Sequence, residues 1–303
     1  MDAVEDLLRS GPVLSEGSVF ERLRRTDGIA FDPAVGIGAL VSDPVGRAAL
    51  ADVHRAYLRV GLERGLPVLL QTDTWRAHPT RIARSAHADR DLNALNAALL
   101  RELRDEADGG PVLIGGLVGP LGDGYGGDAA PDAEAAERLM RPQAEALAAG
   151  GVDLLVAATL PDAGEALGIA RALTATGLPY LVGVVVRPDG TLLDGSRLGG
   201  LVAAVDGGAA RAPVGYALTC VHPSVAAAAL AAEPVGDRVI ACFANASALS
   251  PEELDGRAEL DAGEPGPFAA QLDALGLPVS GGCCGTDERH LAALADRLTA
   301  RRG

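Results

Sequence analysis

Cysteine side chains in the last third of the sequence supply its clearest reactive chemistry. Cys283 and Cys284 are adjacent in the run Gly-Gly-Cys-Cys-Gly-Thr, and Cys220 precedes Val-His-Pro. Three cysteine thiolates suit tetrahedral Zn²⁺ and leave its fourth position open, which is typical of a catalytic zinc site rather than a structural one. Spacing alone leaves two alternatives, because vicinal cysteines can also be small buried apolar side chains or a redox pair.

A thiol that joins such a centre becomes a strong nucleophile. Free thiols have a pKa of about 8.5 and are mostly protonated at neutral pH, whereas a metal-bound thiol is deprotonated. Three cysteine thiolates already exceed the charge of the ion, so a fourth sulfur stays electron-rich. The residues therefore predict transfer of a methyl group from a cationic sulfonium or ammonium donor to a thiol. Cys220, Cys283 and Cys284 are predicted to be both the metal ligands and the catalytic residues.

Two other residues near this constellation have simpler interpretations. Cys242 lies among Val, Ile, Ala and Phe, which predicts a buried core residue rather than a ligand. His222 follows Cys220 by two positions and could reach the site, but such a histidine more often caps a helix or bonds locally.

The cysteines must be positioned by a repeating pattern of short apolar runs and longer helical stretches. Continuous apolar runs of this kind indicate parallel strands that are buried on both faces. Eight such units predict a closed (β/α)8 barrel, an α/β fold, with an open doubly wound sheet as the alternative. The strand ends of a barrel meet at one mouth, so Cys220 and the cysteine pair would converge there. The predicted strands are 13–15, 67–71, 112–115, 152–157, 180–186, 214–219, 239–243 and 277–281. The predicted helices are 44–64, 89–106, 133–149, 164–176, 197–205, 224–232, 267–275 and 287–301.

A glycine-rich segment at 115–127 follows the third predicted strand and contains Asp123 and Tyr125. It has no Lys and opens no helix directly, which argues against a phosphate-binding loop. It is either a mobile barrel loop or a lid over the mouth.

Composition narrows the class of protein. The formal charge of −15 over 303 residues argues against nucleic acid or an anionic membrane as a partner. The sequence contains no secretory signal pattern and no run long enough to span a membrane, which predicts a cytoplasmic protein. No linker divides the chain, so residues 1–303 are predicted to form a single domain. Self-association into a homo-oligomer is left open.

The cysteine motifs resemble those of the homocysteine S-methyltransferase family, whose members use betaine, S-methylmethionine or folate donors. The run at 281–286 looks like the zinc signature of the family, and 220–223 looks like the segment that carries its third ligand. Weaker similarity extends over 14–23, 71–77 and 116–122, and Asn245 stands where the family often has Asn. The resemblance implies a (β/α)8 barrel and a zinc cofactor.

The sequence departs from the family pattern where the acceptor should bind. Glu16-Gly17 stands in place of the usual Asp-Gly, Ala158-Thr159 replaces Glu-Thr, and Thr219 replaces a frequent Asn. In the family the two acids hold the amino group of homocysteine. Loss of one charge-assisted hydrogen bond costs about 1.5–3 kcal/mol. The metal end is thus retained while the acceptor pocket is rebuilt.

These observations predict a zinc-dependent S-methyltransferase for homocysteine or a related small thiol, with a small donor such as S-methylmethionine, S-adenosylmethionine or betaine. The alternatives are a zinc-dependent hydrolase or lyase on the same barrel, or a non-catalytic protein that binds zinc or thiols. The residues predicted to contact substrate are Glu16, Gly17, Asp73, Thr74, Tyr125 and Asn245.

Overall fold

Eight parallel strands close into a barrel in chain order, with the last strand paired to the first. The computed structural model describes residues 3–122, 124–125, 130–254 and 263–301. The predicted (β/α)8 barrel is confirmed, and the open sheet is wrong because β8 pairs with both β7 and β1. The strands are β1 (Val13–Ser15), β2 (Val68–Gln71), β3 (Val112–Val118), β4 (Leu154–Leu160), β5 (Tyr180–Val184), β6 (Gly215–Val221), β7 (Val239–Ala244) and β8 (Val279–Gly282).

Helices alternate with the strands and cover the outside of the barrel. Most of the predicted helices begin and end within a few residues of the observed ones. The helices of the described residues are α1 (Ala3–Ser10), α2 (Val19–Leu23), α3 (Pro44–Leu62), α4 (Pro79–Ile82), α5 (Leu92–Glu106), α6 (Ala133–Ala149), α7 (Ala163–Thr174), α8 (Leu198–Gly208), α9 (Pro223–Ala232), α10 (Pro251–Leu254), α11 (Pro265–Ala274) and α12 (Glu288–Ala300).

Two apolar clusters hold these layers together. The larger one lies between strands and helices, and the smaller one fills the barrel interior. In β4, Leu155 and Ala157 belong to the outer cluster, whereas Leu154 and Val156 belong to the inner one. This alternation is what a strand buried on both faces requires, because successive side chains point to opposite faces.

The ends of β4 and β6 differ from the prediction. Both strands continue for two or three residues beyond their predicted ends, and each shows a register shift there, after Ala157 in β4 and after Thr219 in β6. The apolar runs give no sign of these β-bulges, which add a residue to one strand and re-aim its side chains.

No helix among the described residues is long and apolar enough to cross a membrane. The assignment of residues 1–303 to a single domain stays a prediction.

Close packing of α6 against α7 depends on a glycine. A Cβ atom on Gly168 would lie 2.7 Å from the Cβ of Ala136, well inside contact distance. The two helices can therefore approach this closely only while position 168 has no side chain.

We expect Gly168→Ala to lower the free energy of unfolding by about 1–3 kcal/mol, because the added methyl overpacks the α6–α7 interface. Gly200→Ala is the matched control, since nothing lies within 4 Å of a Cβ at that position of α8. This control should gain about 0.5–1 kcal/mol from helix propensity. Urea denaturation of both variants measures the difference, and equal midpoints would contradict the packing argument.

Candidate metal centre

The three predicted ligands meet at the mouth of the barrel. The Sγ atom of Cys220 lies 2.7 Å from that of Cys283, and the Sγ atoms of Cys283 and Cys284 are 4.0 Å apart. All three sulfurs lie within 4.8 Å of one another, and the three residues are buried or half-buried. One ion of the size of Zn²⁺ could be held by all three.

The turn that carries Cys283 and Cys284 is fixed by backbone bonds to the end of β7. The amide of Cys283 donates to the carbonyl of Ala244 at 2.7 Å, and the amide of Ala246 donates to the carbonyl of Cys284 at 3.0 Å. The Thr286 hydroxyl donates to the carbonyl of Cys283 at 2.7 Å. The cysteine pair thus sits on rigid backbone rather than on a loose loop.

Cys220 reaches the same point from β6 in an unusual backbone conformation. Its φ is 54°, in the left-handed region that non-glycine residues seldom adopt. The Asn245 side-chain amide donates to the carbonyl of Cys220 at 2.8 Å, and the Tyr125 hydroxyl donates to it at 3.4 Å. Two of the residues predicted to contact substrate therefore support a predicted ligand in this structure.

The ionisation of the sulfurs suits a divalent cation. Hydrogen bonds from Cys283 and Cys284 hold the pKa of Cys220 well below its usual range. The same contacts with Cys220 raise the pKa of Cys283 and of Cys284. Without a cation the cluster thus favours one thiolate, and ionisation of all three thiols requires a positive charge between them. A soft, thiolate-binding divalent ion such as Zn²⁺ fits this donor set.

A cluster of acidic side chains, called the acidic wall below, lies at the ends of β1 and β2. It consists of Glu16 and Asp73 with the ring of His54 between them. The His54 Nδ1 atom lies 3.1 Å from the Oε2 atom of Glu16, and Nε2 lies 2.9 Å from the Oδ2 atom of Asp73. The backbone of Glu16 meets the residue before the cysteine pair, because the amide of Gly282 donates to the carbonyl of Glu16 at 2.9 Å.

The two carboxyl groups favour the positively charged form of the histidine in this wall. Burial would lower the pKa of His54, but the carboxylates of Asp73 and Glu16 raise it to about 10. Both ring nitrogens then carry protons and donate to the two acids. Burial raises the pKa of Glu16, although His54 opposes this.

The other residues predicted to contact substrate have structural partners. Gly17 packs against the ring of Tyr57, and a Cβ there would lie 3.0 Å from the ring atom Cζ. The Thr74 hydroxyl donates to the carbonyl of Leu117 at 2.6 Å. Asp123 lies outside the described residues. Substrate contacts by these side chains stay predictions.

Asn245 differs from them because one of its polar atoms is unused. Its Oδ1 atom is buried and has no hydrogen-bond partner among the described residues. Buried acceptors are normally paired, so this oxygen is suited to accept a hydrogen bond from a ligand.

Cys242 and His222 follow their simpler interpretations. Cys242 is fully buried in β7, and burial raises its pKa to about 12. His222 is the N-cap of α9, where its Nδ1 atom accepts from the amide of Ser224 at 3.3 Å.

Sequence reasoning missed His54. A histidine within a helix such as α3 gives no periodic signal, and a core position is its usual interpretation. The available signal was the position of two acids, Glu16 and Asp73, at the ends of β1 and β2. Buried carboxylates require a positively charged partner.

We expect the stability of the protein to fall between pH 6.5 and about 10. A histidine whose folded pKa is raised from 6.5 to about 10 contributes stability that is fully present below the lower value and lost as pH rises through the higher one. Urea denaturation across this range should show a smaller fall for His54→Gln than for the wild-type protein. The control His222→Gln should keep the wild-type slope, because burial lowers rather than raises the pKa of His222. Parallel curves for wild type and His54→Gln would contradict a charged His54.

Comparison with known proteins gives the family. Residues 14–298 match the family model described as homocysteine S-methyltransferase. Homocysteine S-methyltransferase of Escherichia coli (strain K12) is 32% identical over 140 residues, which cover 42% of this chain and 44% of the relative. Betaine–homocysteine S-methyltransferase 1 of Danio rerio is 26% identical over 275 residues, which cover 84% of this chain and 66% of the relative. The chain thus spans less than two thirds of the length of these relatives.

Solved structures agree on the fold. The metallated form of the homocysteine methyltransferase MmuM from Escherichia coli superposes with a TM-score of 0.77 at 24% identity, covering 96% of this chain and 99% of that chain. The oxidized form of the same protein gives 0.75 at 25% identity, covering 94% of this chain and 95% of that chain. Since the family match runs through all eight strands of the barrel except the first residue of β1, this chain belongs to the homocysteine S-methyltransferase family.

Proposed function

We propose that this protein is a zinc-dependent S-methyltransferase that moves a methyl group from a small sulfonium or ammonium donor to homocysteine or a related small thiol. The observation that carries the proposal is the convergence of three cysteine sulfurs within 4.8 Å at the mouth of the barrel. The membership of the family supports it, as do the names of the Escherichia coli and Danio rerio relatives.

The cysteines are the groups that hold the metal in this proposal. Cys220, Cys283 and Cys284 would hold Zn²⁺ through their sulfur atoms. When bound, the ion would supply the positive charge that favours the thiolate form of the acceptor.

The acidic wall and Asn245 position the substrates. The carboxyl groups of Glu16 and Asp73 favour a positively charged substrate group nearby, and low exposure strengthens that attraction. The unpaired Oδ1 atom of Asn245 offers an acceptor for a substrate N–H group. Gly17, Thr74 and Tyr125 shape the remaining surface.

The acceptor need not be homocysteine itself. The Glu16 carboxylate already binds His54, so it is less available to an ammonium group than a free acid would be. Ala158 has no charge where the family pattern has Glu. We therefore include small thiols without an amino group among the candidate acceptors.

Three thiols this close together could form disulfides in an oxidising compartment. A reducing compartment prevents this, which supports a cytoplasmic location for the proposed enzyme. Whether it works as a homo-oligomer stays open.

Replacement of any ligand should abolish both zinc binding and methyl transfer. Changes to residues that contact metal ligands lower metal affinity by up to about 100-fold. We expect a larger loss of zinc affinity in Cys220→Ala, Cys283→Ala and Cys284→Ala, because each of these variants lacks a ligand. Zinc content is measured by elemental analysis, and methyl transfer from S-methylmethionine, S-adenosylmethionine or betaine is measured with a panel of thiols.

The matched control for these variants is Cys242→Ala, which removes a buried cysteine that is not in the cluster. It should keep stoichiometric zinc and wild-type transfer. A wild-type protein that holds zinc but methylates none of the thiols would overturn the proposed activity.

The acceptor pocket can be tested at Ala158. We expect Ala158→Glu to raise the preference for homocysteine over 4-mercaptobutanoate, which lacks the amino group, because a carboxylate at the mouth can pair with the ammonium group. The expected gain in the ratio of kcat/KM values is about tenfold or more, equivalent to about 1.5–3 kcal/mol for a charge-assisted bond. Ala158→Gln is the uncharged control. An unchanged ratio for both variants would show that position 158 does not face the acceptor.

A further inference from the structure

The bulges of β4 and β6 have the same effect on side-chain direction. In β4 the residues that face the helix layer are Ala157 and then Leu160, and in β6 they are Leu218 and then Val221. In a regular strand, every second side chain faces the helices. Here the side chains that face the helices are three residues apart, so the two residues between them both turn away from the helices. Each bulge therefore directs one extra side chain toward the mouth.

The extra side chains are Thr159 and Cys220. Regular alternation would send both toward the helices, because Ala157 and Leu218 already face that way. Both instead have left-handed backbone, with φ of 63° for Thr159 and 54° for Cys220. Among the described residues these are the non-glycine positions with positive φ. Such strain persists only where the surroundings maintain it, and it concentrates at functional sites.

The two strained residues touch each other. The Thr159 hydroxyl oxygen lies 3.3 Å from the Cys220 sulfur, and both residues are buried, at 5% and 8% exposure. A thiolate that binds a metal has no proton to give, so in that state the hydroxyl must be the donor.

The neighbouring Thr219 holds Thr159 in place. Its hydroxyl oxygen accepts from the Thr159 amide at 2.8 Å, and the same hydroxyl donates to the carbonyl of Val184 at 3.3 Å. Thr219 is 1% exposed, so no water competes for these bonds. The strained backbone at 159 is thus anchored to β5 and β6 independently of any metal.

We propose that Thr159 is a positioning residue of the metal centre, whose hydroxyl donates a hydrogen bond to the Cys220 thiolate and keeps that sulfur turned toward Cys283. The inference rests on the proposed function, because it takes Cys220 as a metal ligand. Partners that contact metal ligands orient them and tune their electron density, and their loss typically lowers metal affinity. Thr159 also lowers the pKa of Cys220, after the larger effects of Cys283 and Cys284.

The test compares Thr159→Val, Thr159→Ser and Thr159→Gly. Val keeps the shape of Thr without its hydroxyl, Ser keeps the hydroxyl, and Gly removes the hydroxyl while relieving the backbone strain. The full-length proteins are titrated with Zn²⁺ against a competing chelator, and their Co²⁺ forms are examined by absorption spectroscopy. Thr72→Val is the control, because its buried hydroxyl bonds to Thr74 and Leu117 rather than to a cysteine.

We expect Zn²⁺ affinity to fall about 10–100-fold in Thr159→Val and Thr159→Gly and to stay within about threefold of wild type in Thr159→Ser. The sulfur-to-cobalt charge-transfer band should move to longer wavelength in the two variants without a hydroxyl, because an unbonded sulfur lone pair lies higher in energy. If Thr159→Val does not fold, Thr159→Gly still decides, since glycine adopts the left-handed backbone readily.

Wild-type affinity and an unshifted band in Thr159→Gly would overturn the role of the hydroxyl. A wild-type protein that binds neither Zn²⁺ nor Co²⁺ would overturn both this inference and the proposed function. Metal binding with the expected Thr159 effects but without methyl transfer to any thiol would contradict only the proposed activity.

Discussion

The organisation of the mouth depends on three buried or half-buried sulfur atoms that lie too close together for all three to be ionised without a cation. Mutual contact lowers the pKa of Cys220 and raises those of Cys283 and Cys284, so the protein alone favours a single thiolate. A divalent ion relieves the repulsion and converts a costly arrangement into a favourable one. The surrounding backbone must hold the sulfurs in this arrangement before the ion arrives.

Closure of the barrel holds Cys283 and Cys284 in place, and the bulged strands hold Cys220. β8 pairs with both β7 and β1, so the turn after it is held from two directions. Cys220 lacks such a turn and depends on a left-handed backbone, together with the side chains of Asn245 and Thr159. Strain is therefore concentrated on the ligand that comes from β6, where regular alternation would have buried it against the helices.

The sequence was sufficient to predict the barrel and the convergence of the cysteines, because the apolar runs, the helical stretches and the Gly-Gly-Cys-Cys-Gly-Thr run are local signals. It was insufficient for the last residues of β4 and β6, since a β-bulge is a property of two paired strands rather than of one. It was also insufficient for His54, whose role depends on Glu16 and Asp73, two residues far from it in sequence but adjacent in the fold. The differences from the family pattern at Glu16 and Ala158 were visible in the sequence. Whether Glu16 is available to a substrate, however, depends on His54, which binds its carboxylate.

The placement of charge around the mouth explains why these departures are compatible with methyl transfer. Donors of the sulfonium or ammonium type are cationic and become neutral when the methyl group leaves. Three cysteine thiolates would exceed the charge of one divalent ion. In the proposed reaction this excess negative charge would attract the donor before transfer and lose that attraction afterwards, which favours release of the neutral product. Recognition of the donor by charge would then survive changes in the residues proposed to recognise the acceptor, so the proposed acceptor pocket could diverge while the metal centre stays the same.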